Sequence, residues 1–124
     1  MSEQGQELSE IALQAEILTD IWNYYPDYRG RCFTITNNSE SREKGSLNMA
    51  MGVVKGLSDT CWLLPDGRCL WIEMKLPGKT QSDQQKWWQG VVESLGHLYL
   101  IAYSRADYFR YIGLEDPRNF PGYK

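Results

Sequence analysis

The sequence lacks the features of several specialised classes of protein. None of its apolar runs is long enough to span a bilayer, and the acidic, polar start MSEQGQELSE does not resemble a secretory signal. The three cysteines are an odd number without CxxC spacing, which does not fit a zinc site and favours a reducing compartment. With 124 residues the chain has the length of one domain. We therefore expect a single cytoplasmic domain over residues 1–124, without a membrane partner.

The chain also lacks an overall excess of basic residues. Its formal net charge is −3, which argues mildly against a nucleic-acid partner. The charges are unevenly distributed, however. Residues 1–27 hold six acids and no Lys or Arg, whereas residues 28–58 hold five bases against two acids. A modest basic surface beside an acidic, cation-binding cleft would produce this pattern, and so would a solvated face without a partner.

Hydrophobic periodicity and turn residues predict the element order α-β-β-β-α-β. The predicted helices cover residues 7–24 and 82–95, with a short helix near 105–112, and the predicted strands cover 32–36, 59–64, 68–76 and 97–104. The polar residues 37–52 predict a long loop, which in a compact domain is often functional. We therefore expect an α/β fold, with a mixed central sheet flanked by helices.

The sequence LPDGR between the second and third strands predicts a three-residue hairpin loop. Its proline suits the first corner of a type I turn, and Gly67 can adopt the left-handed conformation of a G1 bulge. This loop pairs Leu64 with Arg68 and thereby places Asp59 opposite Glu73, with both side chains on one face. A two-residue loop would shift the pairing by one residue and separate the two carboxylates.

Two opposed carboxylates require a compensating cation. Lys75 is one candidate, because it lies one pleat beyond Glu73 on the same face of the strand. A divalent metal is the other, since oxygen-only ligands suit Mg²⁺ or Mn²⁺. From Asp59, Glu73 and Lys75 alone, a metal site and a structural ion-pair cluster are both open interpretations.

Three motifs occur in order along the chain: GLSD at 56–59, IEMK at 72–75 and SDQQKWW at 82–88. Together they resemble the PD-(D/E)XK nuclease superfamily, and especially its VRR-NUC branch, with the pattern G-x-P-D, I-E-x-K and S-x-x-Q-x-x-W. Ser58 stands where that pattern often has proline. The resemblance covers nearly the whole chain. It implies one VRR-NUC-like domain with a restriction-endonuclease-like αβββαβ core.

The resemblance also implies roles for individual residues. Asp59, Glu73 and the Met74 carbonyl would bind Mg²⁺ or Mn²⁺, and Lys75 would orient or activate the attacking water. Gln85 matches the glutamine of the third motif and would belong to the catalytic group. A structural role for Gln85 is equally open, because S-x-x-Q is also the spacing of a capping box at a helix start.

The first helix of such enzymes often supplies another acid. Glu10 lies on the helix face shared by Gln14, Ile17 and Ile21, whereas Glu16 points away from that face. We therefore expect Glu10 to be the additional catalytic residue, with Gln14 able to contact the same site. The alternative is that Glu10 is an exposed acid that interacts favourably with the helix dipole.

The function implied by the resemblance is that of a metal-dependent, structure-selective DNA endonuclease that hydrolyses phosphodiester bonds. Stand-alone members of this branch resemble small Holliday-junction resolvases, which act as homodimers on four-way junctions. Alternatives are a nuclease of the same fold acting on flaps or linear duplex DNA, and a non-catalytic nucleic-acid-binding module. We expect contacts mainly to DNA phosphates, made by Arg42, Lys44, Lys79 and Lys86.

Overall fold

The computed structural model describes residues 3–35, 50–52, 54 and 58–124, with side chains from Ser9 onwards. These residues form α1 (Glu3–Tyr24), β1 (Cys32–Thr34), β2 (Thr60–Leu63), β3 (Cys69–Met74), α2 (Asp83–Ser94), β4 (Leu98–Ala102) and α3 (Arg105–Ile112). Two short 3-10 helices cover Pro26–Tyr28 and Pro117–Asn119. Most of the predicted loop at 37–52 lies outside the described residues. No described helix has the length and apolarity needed to cross a membrane.

The four strands form one mixed sheet in the order β1-β2-β3-β4. The β1–β2 and β2–β3 pairs are antiparallel, whereas β3 and β4 are parallel. A parallel pair needs a crossover connection, and α2 provides it between β3 and β4. The predicted α/β fold, with an αβββαβ core and a mixed sheet, is therefore confirmed, and α3 is the short helix predicted near residues 105–112.

The hairpin between β2 and β3 has the predicted three-residue loop. The Leu64 N–H donates to the Arg68 carbonyl at 2.9 Å, and the Gly67 N–H donates to the Leu64 carbonyl at 3.1 Å. Gly67 has a φ of 92°, a left-handed conformation that a residue with a Cβ adopts only with strain. The register predicted from LPDGR is therefore correct.

This register determines which residues meet at the far end of the hairpin. Thr60 pairs with Ile72, so one further step along the two strands brings Asp59 opposite Glu73. Strand β3 ends just beyond, at Met74, because the Met74 N–H bonds to the Asp59 side chain instead of to the β2 backbone. The carboxylate pair therefore lies at the end of the two central strands, where β2 begins and β3 ends.

Helices α1 and α3 cover one face of the sheet, and α2 covers the other. The alternation along β3 directs its buried apolar residues to the first face, where the core consists of Ile17, Ile21, Trp62, Leu70, Ile72, Met74, Ala102, Tyr108 and Phe109. On the second face, Trp88 of α2 packs edge-on against Trp71, with ring centroids 4.7 Å apart. Glu73 belongs to this second face, so α2 lies beside it.

Candidate active site

The two predicted metal-binding carboxylates converge where β2 begins and β3 ends. Glu73 is 3% exposed, and Asp59 is partly exposed. One oxygen of Asp59, Oδ2, accepts the Met74 N–H at 2.8 Å. The Asp59 backbone is held as well, because its carbonyl accepts the Thr34 hydroxyl at 2.8 Å. The position of Asp59 is therefore fixed from both neighbouring strands.

The two carboxylate oxygens of Glu73 have different surroundings. Oε1 accepts a hydrogen bond from Gln85 Nε2 at 2.8 Å and lies 4.0 Å from Lys75 Nζ. Oε2 is buried and makes no hydrogen bond of regular geometry in the described part of the chain, although the Asp59 backbone N–H lies close enough to Glu73 to lower its pKa. Buried polar atoms are almost always paired, and an unpaired carboxylate oxygen is especially costly. Glu73 Oε2 is therefore the atom of this site that most needs a cationic or hydrogen-bonding partner.

The electrostatics of the pair favour a bound cation. Burial raises the pKa of Glu73 to about 8, with a further contribution from the Asp59 charge and partial opposition from Lys75. Burial likewise raises the pKa of Asp59 to about 6, whereas the hydrogen bond from Met74 lowers it. A divalent cation at the pair would reverse both shifts, because it stabilises the ionised form of each carboxylate.

Lys75 projects from the same face, one residue beyond the end of β3. Its backbone N–H donates to the Ala102 carbonyl of β4 at 3.0 Å, which fixes the position of its Cα. Its side chain is 14% exposed, and the 4.0 Å separation from Glu73 Oε1 is at the outer limit of an ion pair. The ammonium group therefore lies beside the carboxylates without being fully engaged by them, and it has donors available for a phosphate or a water.

Gln85 both caps helix α2 and donates a hydrogen bond to Glu73. Its Oε1 accepts the Ser82 N–H at 2.8 Å, and its own N–H donates to the Ser82 hydroxyl at 3.2 Å, which together form a capping box. Its Nε2 donates to Glu73 at the same time. The capping contact and the contact with Glu73 are thus simultaneous contacts of one side chain, and a catalytic role for Gln85 stays a prediction.

Of the two first-helix acids, Glu10 is the one that lies at the site. Its Oε1 accepts the Leu76 N–H at 3.0 Å, and its charge raises the pKa of both Asp59 and Glu73. Glu16 instead pairs with Arg118 at 3.2 Å, with both side chains about half exposed. Glu10 therefore adds negative charge to the site, as its place on the inward helix face predicted.

Gln14 reaches the site only through a neighbour. Its Nε2 donates to Thr34 Oγ1 at 3.2 Å, and that hydroxyl donates to the Asp59 carbonyl. Gln14 therefore supports the backbone of Asp59 from β1.

The four predicted DNA-binding bases fall into two groups. Arg42 and Lys44 lie outside the described residues. Lys79 is half-buried in the connection between β3 and α2, and Lys86 is exposed in the first turn of α2. Both are close in sequence to Gln85: Lys79 precedes α2, and Lys86 follows Gln85 within α2. Their contact with DNA stays a prediction.

The donors at this site suit a hard divalent cation. Among residues 9–35, 50–52, 54 and 58–124, no group of three or more His, Cys, Asp or Glu side chains could by itself hold a metal ion. A backbone oxygen could join the pair, since in an antiparallel ladder the Met74 carbonyl points to the same side of β3 as the N–H that contacts Asp59. Proteins usually bind Mg²⁺ through one or two carboxylates, and water and phosphate supply the other ligands. The unpaired Oε2 of Glu73 suits such a site.

Two buried hydroxyls beside the carboxylates were not predicted from the sequence. Tyr99 lies on β4 opposite Trp71, and therefore on the same face of the sheet as Glu73. Ser58 immediately precedes Asp59, and both hydroxyls are buried. The sequence signal that could have identified Tyr99 is the two-residue periodicity of the strand predicted over residues 97–104, which determines the residues that share a face.

A comparison with solved structures finds the same fold in a protein described as a VRR_NUC domain protein. The two structures have a TM-score of 0.66 and 18% sequence identity, and the match covers 84% of each chain. The predicted VRR-NUC resemblance is therefore confirmed at the level of the fold. No family model matches the sequence, and no curated protein matches it either.

Proposed function

We propose that this chain is a metal-dependent endodeoxyribonuclease that hydrolyses phosphodiester bonds. The observation that carries the proposal is the convergence of four side chains at the end of the two central strands, those of Asp59, Glu73, Lys75 and Gln85. Within the described residues, the buried Oε2 of Glu73 makes no hydrogen bond of regular geometry. The VRR-NUC fold gives this convergence its context, since the motifs that resemble that branch supply all four residues. A structural ion-pair cluster would explain Lys75 but not the unpaired oxygen.

Each residue has a chemical task that its contacts support. Asp59, Glu73 and the Met74 carbonyl would hold Mg²⁺ or Mn²⁺, and the ion would supply a water of lowered pKa and polarise a phosphate oxygen. Lys75 places a positive charge beside the attacking water or the phosphate, where negative charge develops. Gln85 and Glu10 fix the first helical turn of α2 and the end of β3, so that the ligands keep their orientation.

The proposed substrate is branched DNA, and the proposed active form is a homodimer. The three motifs support this proposal, because they resemble those of the VRR-NUC branch, some members of which resemble small Holliday-junction resolvases. Two copies with one site each would place paired cuts on opposite strands of a four-way junction. A reducing cytoplasm is the proposed location, in keeping with the three free cysteines.

Cleavage of labelled four-way junction, flap and linear duplex DNA, with Mg²⁺, Mn²⁺ or a chelator, tests this function. The expected result is metal-dependent, paired cutting of the junction, and its loss in Glu73→Gln with DNA binding retained. Cutting of flaps or linear duplex alone would support a nuclease with another substrate. Metal-independent cutting, or binding without cutting under every condition, would contradict the proposal.

A further inference from the structure

Within the described residues, three buried side-chain oxygen atoms that lie in one region of the fold make no hydrogen bond of regular geometry. They are Ser58 Oγ, Tyr99 Oη and Glu73 Oε2, and their residues are 1%, 4% and 3% exposed. Each hydroxyl can donate one hydrogen bond, whereas an ionised carboxylate oxygen can only accept. Two unused donors and one unused acceptor thus form a complementary set beside the proposed metal site.

Both hydroxyls belong to residues that neighbour the carboxylate pair. Tyr99 projects from β4 on the face that carries Glu73. Burial raises the pKa of Tyr99; the nearby Ser58 and Gln81 side chains lower it, and the charges of Glu73 and Asp59 raise it further. With neither neighbour does the hydroxyl make a hydrogen bond of regular geometry. Tyr99 and Ser58 therefore form a buried hydroxyl pair beside the two carboxylates.

Packing alone does not account for the hydroxyl of Tyr99. The ring packs against Trp88 with centroids 6.1 Å apart, a contact that phenylalanine would make equally well. An unpaired buried hydroxyl destabilises a fold. Elsewhere the same fold pairs such groups: the Tyr108 hydroxyl accepts from Trp62 Nε1 at 2.8 Å and lies 3.0 Å from Thr60 Oγ1. The unused Tyr99 hydroxyl is thus an exception that requires a local explanation.

Ser58 strengthens this explanation, because it is the residue at which the chain departs from the VRR-NUC pattern. The pattern often has proline there, and proline has neither a side-chain hydroxyl nor a backbone N–H to donate. Serine at this buried position adds a donor next to the Tyr99 hydroxyl. The two residues thus place two buried hydroxyls beside the carboxylate pair.

We infer that Tyr99 and Ser58 are positioning residues of the metal site. Each hydroxyl donates through a bridging water towards the Glu73 carboxylate, and this contact holds Glu73 in the orientation in which its Oε2 binds a divalent cation. Gln85 does the same from the opposite side, through Oε1. This inference rests on the proposed function, since it assigns the hydroxyl pair to the cation that Asp59 and Glu73 hold.

The test compares cation binding with stability in four proteins: the wild type, Tyr99→Phe, Ser58→Ala and the control Tyr111→Phe. The Tyr111 hydroxyl donates to the Ile101 carbonyl at 2.8 Å, so it has a purely structural partner. Isothermal titration calorimetry with Mn²⁺ and thermal melts in chelator give the two readouts. Residues that orient a metal ligand typically change metal affinity by about 10- to 100-fold when they are removed.

The expected outcome separates positioning from structure. Tyr99→Phe and Ser58→Ala should each bind Mn²⁺ about 10-fold more weakly, with metal-free melting temperatures equal to or above that of the wild type. Tyr111→Phe should melt earlier and bind Mn²⁺ normally. If one of the two site variants fails to fold, the other decides the result. Unchanged Mn²⁺ affinity in the folded site variants overturns this inference alone, whereas a wild type that binds no Mn²⁺ overturns the proposed function with it.

A second readout follows the tyrosine itself. In protein labelled with ¹³C at the tyrosine Cζ, the Tyr99 signal is identified by its absence from Tyr99→Phe. Saturation with diamagnetic Mg²⁺ should shift this signal and leave that of Tyr111 in place. A Tyr99 signal that does not respond to Mg²⁺, in protein shown to bind the ion, would contradict the positioning role.

Discussion

Gln85 Nε2 donates a 2.8 Å hydrogen bond to Glu73 Oε1, across the junction between α2 and the sheet. The same side chain closes the capping box with Ser82. The helix start and the orientation of Glu73 are therefore coupled through one residue. Because Oε1 is engaged, Oε2 is the oxygen that remains for a cation, and this assignment generates the first prediction.

Replacing Gln85 should separate its two contacts. Gln85→Glu keeps an oxygen that can accept the Ser82 N–H but replaces the donor to Glu73 with a second negative charge. We expect cleavage of branched DNA to fall by at least about 10-fold, with little change in melting temperature. Cleavage rates and thermal melts of the same preparations provide the measurement.

Ser82→Ala is the matched control for that experiment. It removes the N-cap hydroxyl, which should destabilise the protein by about 1 kcal/mol, while the donor of Gln85 to Glu73 is retained. Nearly normal cleavage with a lower melting temperature is expected. If Gln85→Glu and Ser82→Ala lose stability and cleavage in the same proportion, Gln85 acts only as a cap.

The raised pKa of Glu73 predicts how the stability of the metal-free protein depends on pH. The carboxyl ionises near its ordinary value of 4.5 in the unfolded chain and at about 8 in the folded protein. Between these values the folded state binds more protons than the unfolded state, so the free energy of unfolding falls as pH rises. Asp59 adds to this decline between 3.8 and about 6.

Glu73→Gln should remove much of that decline, because the amide does not ionise. Urea unfolding in chelator, at about pH 5 and about pH 8, should show a smaller loss of stability in Glu73→Gln than in the wild type. The exposed Glu16, which pairs with Arg118, provides the control Glu16→Gln. Saturating Mg²⁺ should stabilise the wild type most at the higher pH. Equal pH dependence in the wild type and Glu73→Gln would show that Glu73 is ionised in the metal-free fold.

Lys75→Ala should abolish cleavage while leaving DNA binding largely intact. The ammonium group lies 4.0 Å from Glu73 Oε1 and is mostly buried, so its removal affects the reaction centre more than the DNA-contacting surface. Single-turnover cleavage and binding titrations of one junction substrate measure the two effects. Normal cleavage by both Lys75→Ala and Glu73→Gln would show that the active site lies elsewhere.

Lys79 and Lys86 should contribute to DNA affinity in a manner that does not depend on sequence. Each lysine that contacts a phosphate adds about one unit to the dependence of log affinity on log salt. Lys79→Ala and Lys86→Ala should therefore each weaken binding and reduce that slope by about one. The exposed Lys124, at the end of the chain, supplies the control Lys124→Ala, and identical slopes in all variants would exclude both residues as phosphate contacts.

The sequence was sufficient for the sheet register because a local signal determined it. The turn LPDGR, with Gly67 in a left-handed conformation, sets the pairing of the strands on either side, and the opposition of Asp59 and Glu73 follows by counting. The choice of Glu10 over Glu16 also came from a local periodicity. Features encoded by short-range spacing were thus predictable.

Features that depend on non-local contacts were not predictable in the same way. β3 was predicted to continue to residue 76, but it ends at Met74, since the Asp59 side chain takes the N–H that would extend the ladder. The hydroxyls of Ser58 and Tyr99 come from residues 41 positions apart in the sequence. Their proximity depends on the parallel pairing of β3 with β4, which no short-range pattern encodes.

A crystal structure of the protein with Mn²⁺, with the ion located by its anomalous scattering, tests the central claim most directly. The account predicts one Mn²⁺ bound by Asp59, by Oε2 of Glu73 and by the Met74 carbonyl, with oxygen distances of about 2.1–2.2 Å. Crystals that contain Mn²⁺ elsewhere but show no anomalous density at these carboxylates would contradict it.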